Sequence, residues 1–147
     1  MRNLRDRLYG VSRLYRKKQR GASVVEFAVI APLFFMLILG IIEFGRVMTV
    51  QQVITNAARE GARMAILDGS SASEVESWVT EYLAGAHIEG AAIAIDPAQP
   101  SSAGYGAPIT VSVSIPISEI SWLPSPLFFK KSNTLSASAV MRRETVQ

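Results

Sequence analysis

The feature that most constrains this chain is an uncharged apolar run from Phe27 to Ile42. Residues Ala22 to Val25 extend it to 21 residues if one carboxylate, Glu26, is tolerated inside it. A helix of that length rises about 31 Å, which matches the hydrocarbon thickness of a bilayer. We therefore expect a single membrane-spanning helix, and we assign it to residues 22–45.

The charge distribution gives this helix an orientation. Residues 1–21 carry eight Lys or Arg and one Asp, a local balance of +7, whereas the remaining residues carry −4. A basic terminus can bind nucleic acid, but basic residues directly before an apolar helix are most simply a cytoplasmic retention signal. We expect no nucleic-acid partner, a cytoplasmic N-terminus, and an extracytoplasmic domain over residues 46–147.

A secretory signal peptide is the main rival interpretation of the apolar run. Signal peptides have a shorter apolar core, which is followed by a small-residue cleavage site. Here polar, helix-compatible sequence continues directly through "EFGRVMTVQQVITNAAREGARMA". We therefore expect the anchor to stay attached to the exported domain.

Glu26 is an unusual residue for the cytoplasmic end of a span. A charged side chain costs up to ~3 kcal/mol at the bilayer centre and less near the head groups, so it either marks the membrane boundary or has a function. Gly21 precedes it, and a glycine offers a protease no side-chain obstruction. A cut after Gly21 would leave Glu26 fifth in a chain that begins at Ala22.

The stretch "RGASVVEFAVIAPLFFMLILGIIEFGRVMTVQQVITNAAREGAR", residues 20–63, resembles the N-terminal module of TadE-like pseudopilins, minor components of the tight-adherence (Flp) pilus machinery. The resemblance implies that a prepilin peptidase cleaves between Gly21 and Ala22 and removes residues 1–21 as a leader. It also implies assembly roles for Glu26 and Phe27. The implied partners are that peptidase, other pilins or pseudopilins, the inner-membrane assembly platform and the lipid bilayer.

Cleavage suggests a physical role for Glu26. It would expose the α-amino group of Ala22 in the same low-dielectric layer, where the Glu26 carboxylate of a neighbouring subunit could pair with it. Buried charges that are costly alone become acceptable as a pair. The alternative, from another functional class, is an uncleaved, membrane-anchored periplasmic binding or scaffolding protein.

Beyond the span the apolar pattern becomes amphipathic. Glu43 and Arg46, three residues apart, either pair locally or anchor the helix at the interface. Inside the span, Pro32 either kinks the helix or is simply tolerated, as prolines are in packed membrane helices. Apolar and small residues then recur at spacings of three and four as far as about Ile66, at Val47, Val50, Ile54, Ala57, Gly61 and Ala65. We expect the small residues of this stretch to pack on the protein's own sheet, or alternatively on another pilin.

The exported part changes period after a second helix. Ser73 and Glu76 have capping-box spacing for a short helix that ends at Gly85. "AAIAID", "ITVSVSIPI" and "TLSASAVMRRE" have strand patterns, and Pro116 indicates an edge strand or a strand end. The predicted fold is α+β and pilin-like: a long transmembrane-to-amphipathic helix packed on a small antiparallel sheet, with one additional short helix.

The residues give little support for catalysis, and we expect no enzyme, no cofactor and no metal. The chain has one histidine, His87, and no cysteine, and its glycines form no phosphate-binding loop. Asp68, Glu74 and Glu76 are close in sequence without a calcium-loop pattern. A loop from Trp122 to Lys131 is either a partner-binding tip or is plugged into the core by its aromatic side chains.

Overall fold

The computed structural model describes the backbone of residues 4–121 and 133–143, and within these ranges the side chains from Gly21 onward. Helix α1 is Leu4–Ala65 and contains Pro32, and α2 is Ala72–Gly85. Strand β1 is Ala92–Asp96, β2 is Pro108–Pro116, α3 is Ile117–Ile120 and β3 is Thr134–Arg142, with a 3₁₀ turn at Pro100–Ser102. The predicted α+β class is confirmed.

The chain divides into two compact units, Met1–Ile42 and Glu43–Gln147. The first consists of the N-terminal part of α1, and the second holds the rest of α1 with all the other elements. The boundaries expected from the sequence, at residues 21 and 45, concern processing and the membrane and remain predictions.

The three strands form one antiparallel sheet in the order β1-β2-β3. Strand β2 is therefore central, and its alternating Ile and Val side chains from Ile109 to Ile115 are buried. Pro116 is the last residue of β2, where it stands opposite Thr134. The strand-end interpretation of Pro116 is confirmed and the edge-strand interpretation is wrong, because a terminal proline removes no donor from the middle of the ladder.

The N-cap of the second helix lies two residues earlier than the predicted one. Ser71 is the N-cap: its hydroxyl accepts from the Glu74 amide at 3.3 Å, and its own amide donates to Glu74 Oε2 at 2.9 Å. The Ser71 backbone and side-chain hydrogen bonds hold the pKa of Glu74 below its ordinary value. The predicted Ser73–Glu76 box is wrong, because a start at Ala72 leaves both of its residues inside the helix.

The core of the second unit is built on the small-residue face of α1. Ile54, Ala57, Ala58 and Ala62 are fully buried beside the apolar faces of α2 and β2. This confirms the prediction that these residues pack on the protein's own sheet. The approach is close at Gly61, where an added Cβ would lie 2.7 Å from Val79 Cγ2 and 3.2 Å from Val111 Cγ1.

This contact predicts a cost for the smallest possible side chain. Gly61→Ala gains up to ~1 kcal/mol of helix propensity but forces two stiff, β-branched valines apart, and overpacking costs about 1–3 kcal/mol. We expect a net loss of roughly 1–2 kcal/mol in the free energy of unfolding. The measurement is chemical unfolding of the full-length chain in detergent micelles, followed by tryptophan fluorescence.

Gly45→Ala is the matched control, because an added Cβ there meets nothing within 4 Å. It should unfold like the wild type or slightly later. If the two alanine variants proved equally stable, close packing at Gly61 would not be what holds α1 on the sheet.

Candidate processing and assembly site

The N-terminal half of α1 presents apolar side chains to its surroundings. Large side chains from Val24 to Phe44 are exposed, among them Phe27 at 69% and Leu33 at 71%. The most apolar 18-residue window has a mean hydropathy of 2.6, and none of it is buried. By length and composition this helix could span a membrane, which is the usual environment of such an exposed surface.

The structure places the four predicted site residues on this part of α1. Gly21, Ala22, Glu26 and Phe27 are all exposed and helical, and an added Cβ at Gly21 would meet nothing within 4 Å. Ala22 and Glu26 are one turn apart on the same face, about 6 Å along the axis. The Glu26 side chain makes no hydrogen bond or ion pair within the described parts of the chain. The site is therefore open on a bare helix surface.

Glu43 behaves differently from the prediction. Its side chain is 1% exposed, and neither carboxylate oxygen accepts a hydrogen bond from any residue that the structure describes. It continues the buried face of α1 one turn before Val47. The hydrogen-bonded local pair with Arg46 is therefore wrong, whereas the position of Glu43 relative to the membrane interface remains a prediction.

The carboxylates considered as metal ligands have other contacts. Glu74 caps α2, and Asp68 accepts from Arg143 Nη2 at 3.3 Å. Across the described residues, no three His, Asp or Glu side chains come together in a group that could hold a metal ion. His87 is exposed in the turn after α2.

Arg143 is an important contact residue that the sequence did not indicate. Its Nη1 donates to the carbonyl oxygens of Ser101 and Ala103, both at 2.6 Å, while Nη2 reaches Asp68. The side chain is 12% exposed. It therefore ties the loop before β2 to the turn after α1, a set of contacts with no sequence signature because the partners are mostly main-chain carbonyls.

The predicted loop from Trp122 to Lys131 lies outside the described residues, which stop at Ser121 and resume at Asn133. The two interpretations of that loop remain predictions.

A comparison with known protein families gives a match in the helical part of the chain. Residues 21–63 match the model of the family described as TadE-like protein. No curated protein and no solved structure matches the chain. The family match confirms, for this segment, the resemblance noted in the sequence. The TadE-like family is a structural family associated with the tight-adherence pilus.

The burial of Glu43 leads to a prediction about stability. A buried acceptor without a partner costs about 1–3 kcal/mol, so Glu43→Leu should raise the free energy of unfolding of the unit Glu43–Gln147 by a similar amount. The measurement is again chemical unfolding of the full-length chain in micelles.

Glu81→Leu serves as the control because Glu81 is exposed on α2, and it should change stability by less than about 0.5 kcal/mol. A loss of stability in Glu43→Leu would contradict the prediction, since it would mean that the carboxylate is engaged by a stabilising partner.

Proposed function

We propose that the protein is a minor pilin or pseudopilin of the tight-adherence (Flp) pilus. A prepilin peptidase cleaves it between Gly21 and Ala22, and the processed helix stays in the inner membrane with the C-terminal domain in the periplasm. There it associates laterally with the helices of other pilins or pseudopilins and with the assembly platform. The protein supplies no catalysis and uses no cofactor.

The observation that carries this proposal is the bare helix from Val24 to Phe44. An apolar surface this large must be covered by lipid or by other helices, and Glu26 is its only charged residue apart from Glu43. The TadE-like match covers the same helix. Both observations support lateral association as the task of the N-terminal segment.

Glu26 makes this association depend on processing. Before cleavage its carboxylate has no cationic partner on the described part of the helix; after cleavage each subunit offers a new α-amine at Ala22. A pair between the amine of one subunit and Glu26 of the next would offset the two helices by about 6 Å along the axis. The pair would thus set the register of assembly as well as its timing.

The first prediction concerns cleavage. Intact-mass measurement should show that the mature protein lacks residues 1–21 in cells that contain the peptidase and retains them in cells without it. Gly21→Val should block the cut, because a branched side chain would obstruct the peptidase at the scissile bond. Gly45→Val, on the same helix and equally open around its Cβ, should be processed normally.

A mature protein that still begins at Met1 in the presence of the peptidase would contradict the proposal. The uncleaved, membrane-anchored binding or scaffolding protein would then be the better description of the chain.

The second prediction concerns the carboxylate. Removing one member of a buried ion pair costs about 3–5 kcal/mol, so Glu26→Gln should lower co-purification with other pilins from solubilised membranes at least about tenfold. Its intact mass should still show cleavage, which separates lost assembly from lost processing.

Glu81→Gln removes the same charge from an exposed position of α2 and should leave co-purification unchanged. Undiminished co-purification of Glu26→Gln would show that the carboxylate marks only the membrane boundary.

A further inference from the structure

The bond that the proposed peptidase would cut lies inside an unbroken helix. Helix α1 runs from Leu4 to Ala65, so the bond between Gly21 and Ala22 has helical backbone on both sides. In a helix, the amide and carbonyl groups around such a bond are tied into hydrogen bonds between residues four apart. A protease acts on a backbone that has been released from these bonds. Cleavage therefore requires α1 to open locally at Gly21.

The residues around the bond are weak helix formers. The five residues 21–25 read "GASVV", whereas the preceding residues 16–20 read "RKKQR". Glycine is the poorest helix former after proline, and serine and valine rank below arginine, lysine and glutamine. The two valines are also branched at Cβ, which restricts their χ1 angles against the preceding turn of a helix. The intrinsic stability of α1 is thus low directly at the bond.

The large side chains of this turn are not packed against the rest of the protein. Val24 and Val25 are exposed, and an added Cβ at Gly21 would meet nothing within 4 Å. At Gly61, by contrast, the same helix is enclosed by valines of α2 and β2. Segments with few buried contacts open at low free energy, so residues 21–25 can unwind without disturbing the core.

The position of the turn decides what pairs with the released backbone groups. Gly21 lies between the basic residues 16–20 and the span predicted at residues 22–45, which is the level of the lipid head groups. Water and head groups can bind free amide and carbonyl groups there, whereas groups released in hydrocarbon stay unpaired. Pro32 also weakens α1, but it lies inside the span. Opening is therefore favoured at the membrane boundary, where the bond is.

We propose that the population of locally opened α1 at residues 21–25 sets the rate of cleavage between Gly21 and Ala22. Val24 and Val25 are positioning residues: they do not react, but their low helix propensity raises the population of open backbone that the peptidase can bind. When opening and closing are fast compared with cleavage, the rate follows this population. The inference rests on the cleavage in the proposed function and adds what controls its rate.

The test is cleavage of the full-length protein in micelles by the purified prepilin peptidase, followed by intact mass. Val24→Leu with Val25→Leu keeps both side chains apolar but removes the Cβ branches, so cleavage should be about threefold slower. Val24→Gly with Val25→Gly weakens the helix further and should be cut about threefold faster. Amide hydrogen exchange of the uncut variants gives the second readout: protection of residues 21–25 should change by about the same factor, in the opposite direction to the rate.

Val29→Leu with Ile30→Leu is the matched control. It removes two Cβ branches from exposed positions of the same helix, beyond Glu26. Its cleavage rate and the exchange protection of residues 21–25 should both equal those of the wild type.

Three results would overturn the inference while leaving the proposed function intact. Slower cleavage of both the leucine and the glycine variants would mean that the peptidase recognises the valine side chains themselves. A leucine variant cut as fast as the wild type would show that opening does not set the rate. A control variant slowed as much as the leucine variant would show that the effect is not local to the bond. A wild-type chain that the peptidase does not cut would contradict the proposed function, and the inference with it.

Discussion

The close contact of α1 with α2 and β2 at Gly61 is the constraint on which the second unit depends. A three-stranded sheet buries little by itself, and one face of β2 must be covered for the domain to be stable. The covering helix presents alanine and glycine where most amphipathic helices present leucine, so its backbone comes near enough for the β-branched side chains of α2 and β2 to fill the space. Small residues in a helix are often assigned to contacts between subunits, but here they are used inside one chain.

Features that repeat along the sequence of this chain were predictable, and single contacts between distant residues were not. The small-residue face of α1 and the alternation of the three strands follow from repeated burial of one face, and the end of α2 at Gly85 follows from the usual glycine stop signal. The start of α2 was misplaced because "SASEVE" contains the capping spacing twice, and only packing decides between Ser71 and Ser73. Helix α3 has four residues, too few for a periodic signal. The contacts of Arg143 were unpredictable because its guanidinium donates to main-chain carbonyl oxygens that are far away in sequence.

The residues of the candidate site show the same difference between what sequence order indicates and what tertiary packing decides. Gly21, Ala22, Glu26 and Phe27 could be proposed because their order along the chain is itself the signal, and the structure adds that all four are exposed on one helix. The burial of Glu43 was missed because its neighbours in sequence, "GIIEFGR", are those of an interfacial residue. Its burial depends on tertiary packing, which local pattern does not encode. The two glutamates thus have opposite surroundings on the same helix: Glu26 is exposed and Glu43 is enclosed, and neither side chain accepts a hydrogen bond from the described residues.

The extent of the family match helps to separate what the anchor does from what the domain adds. The match ends at residue 63, two residues before α1 ends, so it covers the apolar surface and the small-residue stripe but none of the sheet. Any function of the sheet and of α2 therefore has to be argued from residues beyond the match, whereas the apolar surface of α1 and its small-residue face lie within it.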